Sequence, residues 1–536
     1  MENIAALDYI IFFLYFAIVI SIAIWVSTKP KGEERTSEDY FLAGRALPWW
    51  IIGASLIASN ISAEQMIGMT GTAFATGIAV VSYEWMAAVT LLIVAKFFLP
   101  TFLKMRIYSM PHYLENRFDA RVSMGLGVFW LLVYVFVNLT AVLYLGALTM
   151  ERVVQIPLWY GIIGLAAVSL IYTLYGGLSA VAWTDIIQVA VLFFGGTALT
   201  YVGLNAVSGD AGGAIAGFNM LIEQAPDRFH TVLPWDDPDL PWIGVFFGGM
   251  WMANISYWGF NQYITQRALA GRNIREAQLG LVFAAFLKVI VPIVVLLPGI
   301  IVYVLMPDLV PVDEFGVKRN DMAYATLINE LAPVGLKGLV IAALIAAIVS
   351  SLNSITNSSA TIFTMDIYRK FDEKASERRL VFIGRVTSLI AIIIAICMAP
   401  MMQNFNQMFQ YIQEYTGFVS PGVVAIFFYG LFWKRATPAA ALWMVILTIP
   451  LSVAFKFAPD MLFPGTMAAA FINPFLHRMG LTFIILMIVG YVVSIMTTPK
   501  PIDIEEEAVS FSTPFVFNVG AIIILVALAV LYFIFR

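Results

Sequence analysis

The chain has 536 residues, of which 61% are hydrophobic and only 12% are charged, and its formal net charge at pH 7 is -4. Soluble domains carry about 25% charged residues, so this composition, with a mean hydropathy of +0.88, excludes a soluble globular protein. The small and dispersed net charge provides no basic surface for nucleic acid. The single cysteine, Cys397, excludes an intrachain disulfide, and the three widely spaced histidines disfavour a histidine-based metal site.

Apolar runs long enough to cross a bilayer, which takes roughly 20 residues, follow one another along the whole chain. They predict an all-α polytopic membrane protein with about 14 transmembrane helices in one domain, 1–536. The first run follows a segment without the basic residues of a signal peptide, so we interpret it as a retained helix. The runs are 8–27, 48–77, 78–103, 122–149, 157–175, 181–205, 241–263, 279–305, 336–365, 380–400, 407–431, 437–457, 477–497 and 514–535.

Basic residues fall in alternate connections between these runs. The connection 208–241, on the other face, contains five aspartates and one glutamate against a single arginine. The positive-inside rule then predicts that both termini lie outside. The basic residues that define the inner face are Lys29, Lys31, Arg35, Arg45, Lys104, Arg106, Arg117, Arg121, Arg267, Arg272, Arg275, Arg369, Lys370, Lys374, Arg378, Arg379, Lys434 and Arg435.

Polar side chains interrupt the run 48–77 near its middle, at Ser59, Asn60, Ser62, Glu64 and Gln65. At that depth, polar groups persist where they line a cavity or bind something. This run therefore predicts a broken membrane helix with a solute or ion site at the break. A polar string from 254 to 262 predicts a second broken helix within 241–263.

Ionisable and amide side chains also interrupt later runs. Glu84 and Lys288 allow two interpretations, a structural ion pair or part of a hydrogen-bonding lining for a neutral polyhydroxyl solute. The recurrence of amides in the other broken runs favours the lining, in which Tyr257 or Trp258 is placed to stack on the apolar face of a sugar ring. The candidate lining residues are Asn60, Gln65, Glu84, Asn254, Tyr257, Lys288 and Gln413.

The ninth run carries hydroxyls on one helix face, because Ala347, Ser350 and Ser351 are three and four residues apart. Beside carbonyls released at Ala58 and Ile61 by the break, these groups predict an all-oxygen, formally neutral cage. Such a cage suits a hard monovalent cation such as sodium and disfavours a divalent ion. Further hydroxyls of this run are interpreted as back-bonding or helix-packing groups: Ser354, Ser358 and Ser359.

Each interrupted run is followed by four more runs. Paired interruptions at matching positions are typical of inverted-repeat transporters, and five spans make the second repeat enter from the opposite face. The pattern predicts a 5+5 core, with 48–205 as the first repeat and 241–431 as the second. The run 8–27 is then an extra N-terminal helix, and 437–535 holds three extra C-terminal helices.

Several strings resemble the sodium/solute symporter family, in particular its bacterial sodium/galactose (sodium/glucose) members. The likeness extends along most of the chain and rests on specific strings rather than on composition. The strings are DYFLAG at 39–44, NISAEQ at 60–65, YEWM at 83–86, YGGLSAV at 175–181, WTD at 183–185, YWGFNQY at 257–263 and QYIQEYTG at 410–417.

The resemblance implies a leucine-transporter-like core and a role for each matching residue. It implies sugar contacts at Asn60, Gln65, Glu84, Asn254, Lys288 and Gln413, with Tyr257 as the inner gate. It implies an outer gate of Met69, Tyr83 and Phe409. It implies sodium ligands at the carbonyls of Ala58, Ile61 and Ala347 and the hydroxyls of Ser350 and Ser351, with Asp185 on the exit path. Two positions depart from the galactose-transporter pattern, Ala87 in place of a sugar-contacting serine and Ser256 in place of a tyrosine.

The resemblance implies a sodium-coupled secondary active symporter that imports a galactose- or glucose-like sugar by alternating access. It would work as a monomer in the bacterial inner membrane, in contact with lipid. A sodium-coupled symporter for another polyol, such as myo-inositol, remains the alternative. Carboxylate solutes are disfavoured because no arginine falls at mid-depth of a run. An enzyme is disfavoured because the chain has no HExxH or GxSxG motif, and a passive channel by the aromatic residues that occlude the lining.

Overall fold

A computed structural model describes residues 5–27, 37–209, 212–312, 318–404, 408–498 and 509–536. Within these ranges the regular structure is helical, with three isolated β-bridges and no strand. The predicted basic connection at 29–35 lies outside the described residues.

The helices that form the body of the protein are labelled α1 to α16 in chain order. They are α1 Ala6–Ser27, α2 Trp49–Asn60, α3 Thr70–Thr76, α4 Ile78–Lys104, α5 Ala120–Val154, α6 Leu158–Ser208, α7 Gly249–Ile255, α8 Gln262–Leu269, α9 Ile274–Leu305, α10 Leu336–Phe371, α11 Glu377–Gln403, α12 Met408–Gly417, α13 Ser420–Phe432, α14 Pro438–Leu462, α15 Phe475–Met496 and α16 Phe515–Ile534. Shorter helices in the connections are Ser37–Leu42, Met110–Arg117, Ala214–Gln224, Trp242–Phe247, Ala323–Leu331 and Met467–Ile472.

Nine helices of the described part are long and apolar enough to cross a membrane, or ten if the bent pair α12–α13 is one span. Breaks divide two further predicted spans, 48–77 and 241–263, into short helices that this count does not include. The number fourteen therefore stays a prediction. The pair α12–α13 bends by 44°, a break that the sequence did not predict.

The helix is interrupted at both places where polar residues cluster in the sequence. After α2, Ile61 is extended and a π-helical turn, Glu64–Met69, leads into α3. After α7, a π-helical turn, Ser256–Phe260, ends at the extended residue Asn261. The Asn261 side chain then accepts a hydrogen bond from Tyr263 N and caps α8. Each polar string thus forms a helix break.

Helix α6 is continuous over 51 residues, where the sequence predicted two separate runs. A straight helix of that length would extend about 76 Å, more than twice the hydrocarbon thickness of about 30 Å. Ser169 Oγ donates to Asn353 Oδ1 at 2.7 Å, and Asp185 Oδ1 accepts from Ser350 Oγ at 2.5 Å. A straight helix would separate residues 169 and 185 by about 24 Å, whereas their contacts lie one turn apart on α10, so α6 bends between these residues. Its two arms correspond to the two predicted runs.

Helix α10 lies at the centre of the bundle. In the apolar 18-residue stretch of α10, 94% is buried inside the protein. The corresponding shares for α14, α15 and α16 are 28%, 28% and 17%. Helix α1 is fixed to α10 by Asp8, whose Oδ1 accepts from Gly335 N at 2.7 Å and Gly338 N at 2.8 Å. A Cβ on Gly338 would lie 2.4 Å from Asp8 O, so only glycine permits this contact. The predicted cation ligands on α10 therefore lie on the most enclosed helix.

Candidate solute and cation site

One cavity of about 930 Å³, partly open to solvent, lies between the broken helices and α4, α5, α9 and α12. All seven side chains that the sequence proposed as solute ligands line it: Asn60, Gln65, Glu84, Asn254, Tyr257, Lys288 and Gln413. The departures Ala87 and Ser256 also border it, as does Glu64. Lys288 is the only base among the described lining residues.

Glu84 and Lys288 form a buried ion pair in the wall of this cavity. Lys288 Nζ lies 2.5 Å from Glu84 Oε2, and the two side chains are 1% and 3% exposed. Lys288 also donates to Asn60 Oδ1, and Asn60 Nδ2 donates to Tyr257 Oη at 3.1 Å. The face of Trp258 lies 5.1 Å from Nζ, within cation–π range. The two interpretations of this pair are therefore compatible, because the pair exists and also faces the cavity.

Gln65 closes the gap that the break leaves in the backbone hydrogen bonding. Its Oε1 accepts from Ser62 N at 3.1 Å and from Ser62 Oγ at 3.2 Å. In a continuous α-helix, Ser62 N would instead donate to Ala58 O. Glu64 N donates to Ser62 Oγ at 3.1 Å. The break is thus ordered by its own side chains, and the Ala58 carbonyl loses its regular helical donor.

Aromatic side chains close the cavity toward α12. Tyr83 and Phe409 meet edge to face with ring centroids 5.2 Å apart, and Met69 beside them is fully buried. Tyr257, which also lines the cavity, contacts Trp258 and Tyr263 edge to face, with ring centroids 5.1 Å and 5.7 Å apart. The predicted outer and inner gate residues, Met69, Tyr83, Phe409 and Tyr257, therefore line the same cavity as the polar side chains.

Asp321 holds the beginning of α12 from the short 3-10 helix Asn320–Met322. Its Oδ2 accepts from Met408 N at 3.1 Å. Burial raises the pKa of Asp321 to about 7, although the hydrogen bond from Met408 and the charge of Arg319 act in the opposite direction. This carboxyl group lies in the connection between α9 and α10, outside the spans.

The proposed cation ligands lie on α10 and at the break after α2, outside the cavity lining. All are at most 2% exposed: Ala58, Ile61, Ala347, Ser350 and Ser351. Ser351 Oγ donates to Ser59 O at 3.4 Å, so an α10 hydroxyl faces the carbonyls of the break. The donor set consists of hydroxyl and carbonyl oxygens, which fits an alkali cation. Ser350 Oγ donates to Asp185 Oδ1, which connects the expected exit-path carboxylate to this group.

Arg267 corrects the sequence interpretation, which assigned it to the inner connection after the seventh run. It lies on α8, is fully buried, and its Nη2 is 3.6 Å from Asp185 Oδ2. Its Nε donates to Ser55 Oγ at 2.7 Å and its Nη2 to Ser354 Oγ at 2.5 Å. The interpretation was wrong because it relied on distance from the apolar run. The position of Asp185 inside a predicted span could have indicated that an arginine or lysine is buried beside it, since a buried carboxylate needs a cationic partner.

Ser354, Ser358 and Ser359, the further hydroxyls that the sequence analysis considered on α10, either bond the backbone of their own helix or contact another helix. Ser354 Oγ donates to Ser350 O at 2.7 Å and Ser359 Oγ to Ile355 O at 2.9 Å, which confirms the predicted back-bonding. Ser358 Oγ instead donates to Gln266 Oε1 on α8 at 3.0 Å. It therefore connects two helices rather than bonding its own.

Comparison with known proteins identifies the group to which this arrangement belongs. Residues 40–448 match the sodium:solute symporter family. The chain belongs to this family. It is 46% identical to the sodium/glucose cotransporter of Vibrio parahaemolyticus, over 100% of this chain and 99% of that protein. It is 36% identical to the sodium/myo-inositol cotransporter 2 of Oryctolagus cuniculus, over 82% of this chain and 68% of that protein.

The solved structure of a Na⁺-coupled sialic acid symporter shares the fold, with a TM-score of 0.78 at 24% identity. The match covers 92% of this chain and 99% of that one. Family membership makes this chain a sodium-coupled solute symporter that spans the membrane several times, and a transporter rather than an enzyme.

Proposed function

We propose that this symporter imports a neutral sugar, galactose- or glucose-like, together with Na⁺ by alternating access. The observation that carries the proposal is the convergence of seven polar side chains from separate helices on one cavity. Lys288 is already paired with Glu84, so no cationic group of the described lining is free for a carboxylate solute. Amides, a carboxylate and an ammonium group match hydroxyls, which both donate and accept. The sugar named for the Vibrio relative supports the same class.

A cyclic polyol such as myo-inositol is the second candidate. Its ring of hydroxyls suits the same donors and acceptors, and a relative at 36% identity carries that solute in its name. Sodium-driven uptake into proteoliposomes, with labelled galactose, glucose, myo-inositol and sialic acid offered in turn, separates the candidates. We expect a hexose to give the fastest saturable uptake. Uptake of myo-inositol alone would support the second candidate, and preference for sialic acid would contradict both.

Sodium is proposed to bind at the carbonyls of Ala58, Ile61 and Ala347 and the hydroxyls of Ser350 and Ser351. Support comes from the contact of Ser351 with the carbonyl of Ser59, and from the diversion of Ser62 N away from Ala58 O. Sodium bound there would join α2 to α10 and favour the outward-open state. Asp185, hydrogen-bonded to Ser350, is placed to receive the ion on its way inward.

The proposed solute ligands hydrogen-bond the sugar once sodium is bound. Asn60, Gln65, Glu84, Asn254, Lys288 and Gln413 bind the sugar hydroxyls, and Tyr257 stacks on the ring as the inner gate. Met69, Tyr83 and Phe409 close the outer side. One charge crossing 100 mV contributes about 2.3 kcal/mol, and a tenfold sodium gradient contributes about 1.4 kcal/mol. Together they support sugar accumulation of a few hundredfold at one sodium per sugar.

The proposed topology keeps fourteen spans in one transmembrane domain. A 5+5 inverted-repeat core covers 48–205 and 241–431, with one helix before it and three after it. Both termini face outward in the inner membrane of a bacterium, and the monomer is the working unit. The low burial of α14 to α16 supports the separation of core and extra helices.

Two substitutions separate the ion site from the solute site. Ser351→Ala removes a proposed sodium ligand outside the cavity, so we expect it to raise the sodium concentration needed for half-maximal uptake. Gln65→Ala removes a proposed sugar ligand, so we expect mainly a higher KM for sugar. Uptake by Ser351→Ala proteoliposomes with unchanged sodium dependence would contradict the cation assignment.

A further inference from the structure

Helix α12 carries both a proposed gate residue and a proposed sugar ligand. Its inner face lines the cavity with Phe409, Ile412, Gln413 and Thr416. A Cβ on Gly68 would lie 2.8 Å from Phe409 Cβ, so α12 packs directly on the π-helical turn of the first break. A movement of α12 would therefore carry Phe409 away from Tyr83 and open the cavity on this side.

Glu414, on α12 next to Gln413, joins this helix to two peripheral helices. Its Oε1 lies 2.8 Å from Arg478 Nη2 on α15 and 3.0 Å from Lys456 Nζ on α14. The three side chains are only 28%, 14% and 25% exposed, which reduces solvent screening. Lys456 Nζ also lies 5.2 Å from the ring of Tyr415, so its position is fixed from two sides.

The same two helices hold the point where α12 bends into α13. Ser452 Oγ on α14 donates to Phe418 O at 2.8 Å. A Cβ on Gly417 would lie 2.9 Å from Met479 Sδ on α15. The bend is thus anchored to α14 and α15 at its base, and the ion pairs of Glu414 add a second attachment one turn away. Two attachments fix the tilt of α12, whereas one allows it to swing.

We propose that Glu414 is a positioning residue that holds the outer gate closed. Its ion pairs with Lys456 and Arg478 keep α12 tilted so that Phe409 stays against Tyr83, and outward opening breaks at least one of them. This inference rests on the proposed function, because it takes Tyr83 and Phe409 as the outer gate. It gives α14 and α15 a role in transport although they lie outside the core that binds the solute.

Thiol labelling from outside tests this proposal. Cys397 is the chain's single cysteine, so Cys397→Ser gives a cysteine-free background, and Ala87→Cys adds a reporter thiol in the cavity below Tyr83. In intact cells with a membrane-impermeant thiol reagent, we expect Glu414→Gln to raise the labelling rate about fivefold to thirtyfold, as loss of one to two kcal/mol from the closed state gives. Glu414→Asp, which keeps the charge, should raise it less.

The matched control is Glu115→Gln. It removes another partly buried ion pair, Glu115–Lys370 at 2.8 Å, remote from α12, and should not raise labelling. A rate for Glu414→Gln within twofold of the parent, or an equal rise in the control, overturns the proposal. If Glu414→Gln does not reach the membrane, Lys456→Gln is tested instead and should give a smaller rise.

The outcome is independent of the solute. Labelling requires no transported substrate, so a rise in labelling without sugar uptake contradicts the proposed sugar and supports the gate assignment. Sugar uptake with unchanged labelling contradicts only the role of Glu414.

Discussion

The ion pair between Glu84 and Lys288 gives the sharpest test of the solute site. Glu84→Gln removes the negative charge beside the buried Lys288 ammonium and leaves it only neutral partners, the new amide, Asn60 and the Trp258 face. Removing one partner of a buried pair costs about 3 to 5 kcal/mol, so we expect a large fall in the thermal unfolding temperature in detergent. The double variant Glu84→Gln/Lys288→Gln removes both charges and should recover most of this stability.

Sugar uptake should not recover in the double variant. Each charged group, as a sugar ligand, contributes a hydrogen bond worth about 1.5 to 3 kcal/mol, so each loss weakens sugar binding roughly tenfold or more. Thermal unfolding without sugar and sodium-driven sugar uptake, measured on the same preparations, separate the two roles. If the double variant regains wild-type uptake, the pair is purely structural. If Glu84→Gln unfolds at the wild-type temperature, the reasoning from burial is wrong.

Three further substitutions test other contacts. Arg267→Gln leaves the buried Asp185 carboxylate without its cation and should cost about 3 to 5 kcal/mol of stability, partly restored by adding Asp185→Asn; no restoration in thermal unfolding would contradict the pairing. Asp8→Ala removes the acceptor for two backbone N–H groups at the beginning of α10 and should cost about 1 to 2 kcal/mol, with Asp8→Asn losing less. Because the pKa of Asp321 is raised from 3.8 to about 7 in the folded protein, its contribution to stability is present at low pH and is lost as pH rises through about 7. Between pH 5 and 8 the wild type should lose on the order of 2 to 3 kcal/mol relative to Asp321→Asn, and parallel unfolding curves for the two proteins would refute this.

Much of the fold and the cavity followed from where polar residues interrupt apolar runs. Asn60 and Asn254 marked both helix breaks, because polar groups at that depth need partners inside the protein. The cavity lining was predictable for the same reason, since each ligand stood out against an apolar background. The roles of these residues in binding stay predictions.

Other features depended on contacts that no run reveals. Arg267 stands four residues beyond the predicted end of the seventh run, and its burial beside Asp185 is evident only in the folded protein. The bend of α6 is evident only from the contacts of Ser169 and Asp185 with one turn of α10. Glu414 pairs with Lys456 and Arg478, which are more than 40 positions away in the sequence. In the sequence these charged residues look like ordinary surface residues, so the pairing was not predictable.

The way in which Gln65 closes the first break has a thermodynamic consequence. Its amide oxygen is occupied by Ser62, which leaves the amide nitrogen as the group available to a sugar hydroxyl. A sugar held there immobilises one edge of a short loop, while sodium at the carbonyls of Ala58 and Ile61 would immobilise the other. Whichever of the two, sugar or sodium, binds first would order this loop and so reduce the entropy cost of binding the second. This coupling is reciprocal by necessity. The coupling free energy between sodium and sugar would therefore depend on the backbone torsions of a few residues in this loop.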